Sequence, residues 1–180
     1  MRSVFLSYDI PQRIKIANPT AKLRSLGVRV NLSVWIIPEH AVPHGYLDEL
    51  REAGAVVYLV RFDESEQDKL IEMARKALEN EAVRIVKGME ASIERAAKIM
   101  EPEGFLSVSE EQTERYEKYM RVVLRRAGKE LVAAKCASSS FDLFQQLEYA
   151  FAATEQAIKA AQDAFLASPM TSTAPEVACA

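Results

Sequence analysis

The sequence predicts an α+β chain of 180 residues: a small strand-rich domain over residues 1–63, about three long helices over 64–168, and a disordered tail over 169–180. Three observations carry that prediction. Short β-prone apolar runs at Val4-Phe5-Leu6-Ser7-Tyr8, Val28 to Ile37 and Ala55 to Phe62 alternate with short helical segments. From Asp63 the apolar period changes from two to three and four. The third observation is 49% hydrophobic content, ample for a core in a chain of this length.

The first run ends in Asp9 and the helix-hostile Ile10-Pro11, so it reads as a buried strand delivering one carboxylate at its C-terminal tip. Asp9 is the only acidic residue before Glu39. Asn18 and Pro19 suit the cap and first position of a short helix that closes at Gly27. In the next run Val28, Val30, Leu32, Val34 and Ile36 share one face, and Arg29, Asn31, Ser33 and Trp35 the other. Pro38 ends it. Tyr46 to Ala53 fits a second helix with Leu47 and Leu50 inward, and Ala55 to Phe62 a last strand.

Ser65 with Asp68 reads as a variant capping box opening a helix over residues 66–100. Leu70, Ile71, Ala74, Leu78, Ala82, Ile85, Met89, Ile93, Ala96 and Met100 form its stripe. Ser109-Glu110-Glu111-Gln112 is a second capping box, leading into a helix with Tyr116, Met120, Val123, Ala127, Leu131 and Ala134 inward. Ser138-Ser139-Ser140 should interrupt it. Phe144, Leu147, Phe151, Thr154, Ile158, Ala161 and Phe165 then keep a 3,4 spacing that wants a coiled-coil-like neighbour. Such stripes point to a bundle or extended hairpin, and to a homodimer or larger homo-oligomer or a protein partner as what covers them.

A strand ending in SYDIP, a helix closing on L-x-x-L-G and the stretch V-R-V-N-L-S-V-W resemble the small CRISPR-associated adaptation subunit, a ferredoxin-like domain. The N-terminal domain of chromate-resistance regulators and the C-terminal domain of phenylacetate-type repressors resemble the same segment, residues 3 to 62. The ferredoxin-like βαββαβ order needs one strand more than the runs supply, so the resemblance implies a bend near Asn31 to Ser33. It also implies a dimeric nucleic-acid-binding protein or metal-dependent nuclease, with Asp9 as catalytic and Mg²⁺-holding carboxylate and the second carboxylate coming from the other subunit. By the residues alone, Asp9 reads first as a cap of the Ile10-Pro11 turn and only second as a metal-holding or catalytic carboxylate.

Arg13, Lys15, Arg24 and Arg29 can neutralise phosphates near Asp9, with Asn31 and Ser33 donating to them. The charge division permits this: up to Phe62 eight Lys/Arg stand against five Asp/Glu, +3, while the remainder has 15 against 21, −6. The acidic helices favour a different class, a non-catalytic regulatory or assembly protein. His40 and His44 near Glu39 lack the further Cys/His ligands a zinc site wants. Cys136 and Cys179 are too few for a disulfide framework, and no run reaches the ~20 apolar residues of a membrane span. A cytoplasmic protein is expected.

Overall fold

In the computed structural model, which describes residues 2–11, 19–101 and 108–167, the chain is α+β: a four-stranded antiparallel sheet followed by long helices. The first part runs β1 (Ser3–Asp9), α1 (Pro19–Leu23), β2 (Val28–Asn31), β3 (Val34–Pro38), α2 (His44–Glu52) and β4 (Val56–Arg61). The sheet order is β2-β3-β1-β4, with Phe5 opposite both Ile36 and Val60. The run from Val28 to Ile37 therefore folds into a hairpin.

That hairpin turns where the sequence is most polar. Asn31 Oδ1 accepts the Leu32 N–H at 2.7 Å, and the Arg29 guanidinium donates to the Leu32 carbonyl at 2.7 Å and, through Nε, to the Asn31 carbonyl at 3.1 Å. The Asn side chain closes the turn locally and the Arg satisfies carbonyls that the ladder leaves. Leu32, which a single uninterrupted strand would put in line with Val28 and Ile36, is 79% exposed at the tip.

Alternation decides what each face of the sheet does. Val4, Leu6 and Tyr8 of β1 and Trp35 and Ile37 of β3 meet Leu23, Val42, Tyr46, Leu47 and Leu50 in one buried cluster, which Val57 and Leu59 of β4 flank. Burying each such aliphatic side chain is worth about 1.5–3 kcal/mol, so this face fixes register. A one-residue slip would expose all of it. Trp35, grouped in the sequence with polar Arg29, Asn31 and Ser33, is the indole at the centre of this core.

α3 (Gln67–Ala97), α4 (Glu110–Ser140) and α5 (Phe144–Leu166) follow. The start of α3 differs from the sequence expectation: Glu64–Glu66 is a 3₁₀ turn with no side-chain cap, so Ser65 is not an N-cap. The second capping box is present, with Gln112 N donating to Ser109 Oγ at 3.2 Å and Ser109 N to Gln112 Oε1 at 2.9 Å. The triple serine does not interrupt α4. Ser138 and Ser139 turn their hydroxyls back onto the Lys135 carbonyl, and Ser140 onto that of Cys136, so the hydroxyls bond within the helix instead of ending it. The stop lies just beyond: Leu143 N donates to the Ser138 carbonyl and Asp142 N to that of Ser139, with Asp142 at φ 56°. This is the left-handed C-terminal closure usually given to glycine.

The chain forms two compact units, Met1–Ala82 with Val132–Phe151, and Val83–Leu131 with Ala152–Ala180. In the first, Leu70, Ala74, Leu78, Ala134, Ala137, Leu147 and Phe151 are buried. In the second, buried Ile85, Met89, Met120, Ala127, Thr154, Ile158 and Phe165 follow the predicted stripes, Tyr116 meets Phe165 at 6.1 Å, and Arg84 and Arg126 share Glu130. Among the described residues no helix is long and apolar enough to cross a membrane.

Candidate functional site

Asp9 closes β1, paired with Val56 at the start of β4, and is exposed. The β2–β3 turn lies at the same end of the sheet, since Tyr8 N donates to the Ser33 carbonyl at 3.2 Å and Asn31 pairs with Val34. Four of the predicted residues thus share one end: Asp9, Ser33, Asn31 and the Arg29 guanidinium, the last already bonded to turn carbonyls. Arg24 sits on the α1–β2 connection, its N–H closing on Thr20 O at 3.1 Å, away from that hairpin in sequence and register. Arg13 and Lys15 lie outside the described residues, as do Asn18 and the 169–180 tail.

The Mg²⁺ expectation needs oxygen ligands around Asp9. Among the described residues no three His, Cys, Asp or Glu side chains gather as a metal-holding group. Asp9 would have to bind the ion with few protein ligands, or share it with a second chain.

What surrounds Asp9 on its own face is apolar. Side chains at odd positions of β1 and even positions of β3 and β4 point away from the core cluster. Phe5 and Ile36 are covered there, Phe5 with its ring 4.8 Å from that of Phe62. Along β4 the cover is missing: Val56, Tyr58 and Val60 are 46%, 60% and 47% exposed. The sequence identifies a strand over Ala55 to Phe62 but not this row, because V-V-Y-L-V is apolar at every position and only the sheet order makes it an edge.

The two sheet edges are built differently. β2 has four residues, a register irregularity between Arg29 and Asn31, and polar side chains, all of which discourage further pairing. β4 runs six residues in unbroken register with β1, and its one charge, Arg61, is held by Glu39 of the same chain at 2.6 Å. Its own residues supply no proline, bulge or unpaired charge. No family model matches the chain, and no curated protein and no solved structure is found to be similar to it.

Proposed function

We propose that the chain is a non-catalytic assembly or regulatory protein whose N-terminal domain is ferredoxin-like and joins a second copy of itself through β4. The observation that carries this reading is the edge whose one charge, Arg61, is paired within the chain, with its exposed row of Val56, Tyr58 and Val60. Support for the ferredoxin-like assignment comes from the βαββαβ order and the β2-β3-β1-β4 antiparallel sheet.

A second copy fits this edge by symmetry. Two β4 strands running antiparallel about a two-fold axis at Tyr58 set Val56 against the partner's Val60, Val57 against the partner's Leu59 and Tyr58 against itself. Every such pair is apolar or aromatic, with no charge brought against its like. The two sheets then become one of eight strands.

The chain should run at twice its 20.1 kDa mass by light scattering at micromolar concentration. Tyr58→Lys puts two ammonium groups together at the axis and should weaken the dimer by about 2 kcal/mol or more, roughly 30-fold. Because Tyr58 is mostly exposed, the circular dichroism of the variant should stay that of the parent. A monomeric parent, or a Tyr58→Lys chain that dimerises as well as the parent, refutes the reading.

A second reading, a nucleic-acid-binding or Mg²⁺-dependent nuclease-like dimer, is favoured by the convergence of Asp9, Arg29, Asn31 and Ser33 at one sheet end. It predicts cleavage of RNA or DNA with Mg²⁺ or Mn²⁺ that is lost in Asp9→Asn, and retention on nucleic acid that falls with salt. No retention at low salt excludes it.

A further inference from the structure

The helical region is acidic as a whole, yet the middle of α4 is not. From Arg115 to Lys129 the sequence holds six Lys/Arg and one Glu, a charge of +5 in a chain whose net charge is −3. All six cations, Arg115, Lys118, Arg121, Arg125, Arg126 and Lys129, are exposed. The helical period gathers them: Met120, Val123, Leu124 and Ala127 take the buried side of α4, so the cations between them share the outer one. This stretch belongs to the second compact unit, whereas Asp9 and β4 belong to the first.

On α3 comparable charges are answered along the same helix, Arg75 by Glu72 and Glu79, and Lys76 by Glu72. On α4 two of the six are: Arg121 faces Glu117 at 3.5 Å, and Arg126 faces Glu130 at 3.1 Å, a carboxylate it shares with Arg84. Arg115, Lys118, Arg125 and Lys129 form no ion pair among the described residues. Arg125 has Arg121 four residues before it and Lys129 four after, so its neighbours along the row carry its own sign, which destabilises a helix. The helix dipole does not account for the row, because it lies in the middle of 31 residues, away from the last turn. A polyanion laid along it supplies the missing counter-charge.

The row runs about 21 Å at 1.5 Å per residue, a length over which duplex DNA presents about twelve phosphates. Four of the six cations are arginines, whose guanidinium meets phosphate oxygens in pairs. Between Arg115 and Lys129 there is no Asn, Gln, Ser or Thr to read base edges, and Tyr116 and Tyr119 are half-buried, which leaves no free ring to stack on single-stranded bases. An anionic membrane fits less well. A helix at a membrane surface sinks its apolar side, and that of α4 is spent inside the protein, with Val122 the one exposed apolar side chain in the row. We propose that the outer face of α4 binds the phosphate backbone of double-stranded nucleic acid without sequence preference. This face is separate from the sheet end of Asp9 and acts whether or not β4 joins two chains.

The test is fluorescence anisotropy of the full chain with short labelled duplexes of two unrelated sequences. Both should bind alike, and about 100-fold more weakly at 200 mM than at 50 mM salt, the dependence of about four phosphate contacts. Arg125→Gln combined with Lys129→Gln should lower the slope of log affinity against log salt by about two. Both side chains are exposed, so the circular dichroism of this variant should stay that of the parent. Leu32→Glu puts a carboxylate on the exposed tip of the sheet-end hairpin and should leave the affinity unchanged. Absence of binding at 50 mM salt, tighter binding to the single strand than to the duplex, or an unchanged slope in the Arg125/Lys129 variant overturns the proposal. So does loss of binding in Leu32→Glu, which would move the phosphates to the Asp9 end, or adsorption to phosphatidylserine vesicles by a chain that binds no duplex.

Discussion

Gly27→Ala is expected to lower the stability of the chain by about 3 kcal/mol. A Cβ at this position would stand 2.5 Å from the Ile36 carbonyl oxygen and 2.6 Å from Ile37 Cγ1. Neither neighbour can give way cheaply. Ile36 is paired with Phe5 on one side and Val28 on the other, and Ile36 and Ile37 are both fully buried, so relief means displacing the middle of the sheet. Gly27 is small because the chain leaving α1 must pass against β3 before entering β2. The helical glycines supply the control. Gly45, Gly88 and Gly128 meet nothing within 4 Å of an added Cβ, and alanine at any of them should stabilise by up to about 1 kcal/mol through helix propensity. Urea unfolding of the four variants decides it; a loss below about 1 kcal/mol for Gly27→Ala would show that β3 yields.

Gly27 also shows what kind of information the sequence holds. It was legible as punctuation after a short helical segment, although α1 itself ends at Leu23 and a turn carries the chain on to Gly27. Its close approach to Ile36 was not, since that depends on which strand lies next to the connection. The same division runs through the chain. The strands around Phe5 and Tyr58, the Ser109 capping box and the α5 stripe from Leu147 to Phe165 rest on spacing within one element, and the sequence places them within a residue or two. Trp35 was harder. Alternation groups it with Arg29, Asn31 and Ser33, and only the turn at Asn31 to Ser33, which leaves Arg29 and Asn31 exposed while Trp35 meets Leu23, Tyr46, Leu47 and Leu50, separates it from them as core. Ser138 to Ser140 misled for a physical reason: serine ends helices when its hydroxyl finds a cap and continues them when it bonds back to a carbonyl one turn earlier. At the candidate site, Asp9 was placed at a strand tip as expected. That its neighbours on β4 are exposed apolar side chains follows from sheet order, which no single strand encodes.

Gln67→Leu should cost nearly as much as the glycine change while altering almost no volume. Gln67 is 7% exposed and joins three backbone groups: its Oε1 accepts the Ser3 N–H at 2.6 Å, and its Nε2 donates to the Phe62 carbonyl at 3.2 Å and to that of Ser3 at 3.4 Å. These groups lie where β1 begins and β4 has just ended, beyond the reach of the ladder between them. Leucine fills the same space and satisfies none of them. Each orphaned buried group costs about 1–3 kcal/mol, and weighting the 3.4 Å contact lightly leaves a total of about 2–4 kcal/mol. The side-chain chemistry can be separated within the same experiment. Gln67→Glu keeps the acceptor for Ser3 N–H, but at neutral pH it buries a carboxylate against the Phe62 and Ser3 carbonyl oxygens, so it should cost at least as much as Gln67→Leu, and move towards the parent in acid as the carboxyl takes up a proton and can donate again. Equal stability of Gln67→Leu and the parent in urea would mean that water replaces the glutamine at no cost. A loss of the expected size in Gln67→Leu, with a Gln67→Glu loss that acid relieves, would identify this one buried amide as the clasp that ties the first turn of α3 to the sheet.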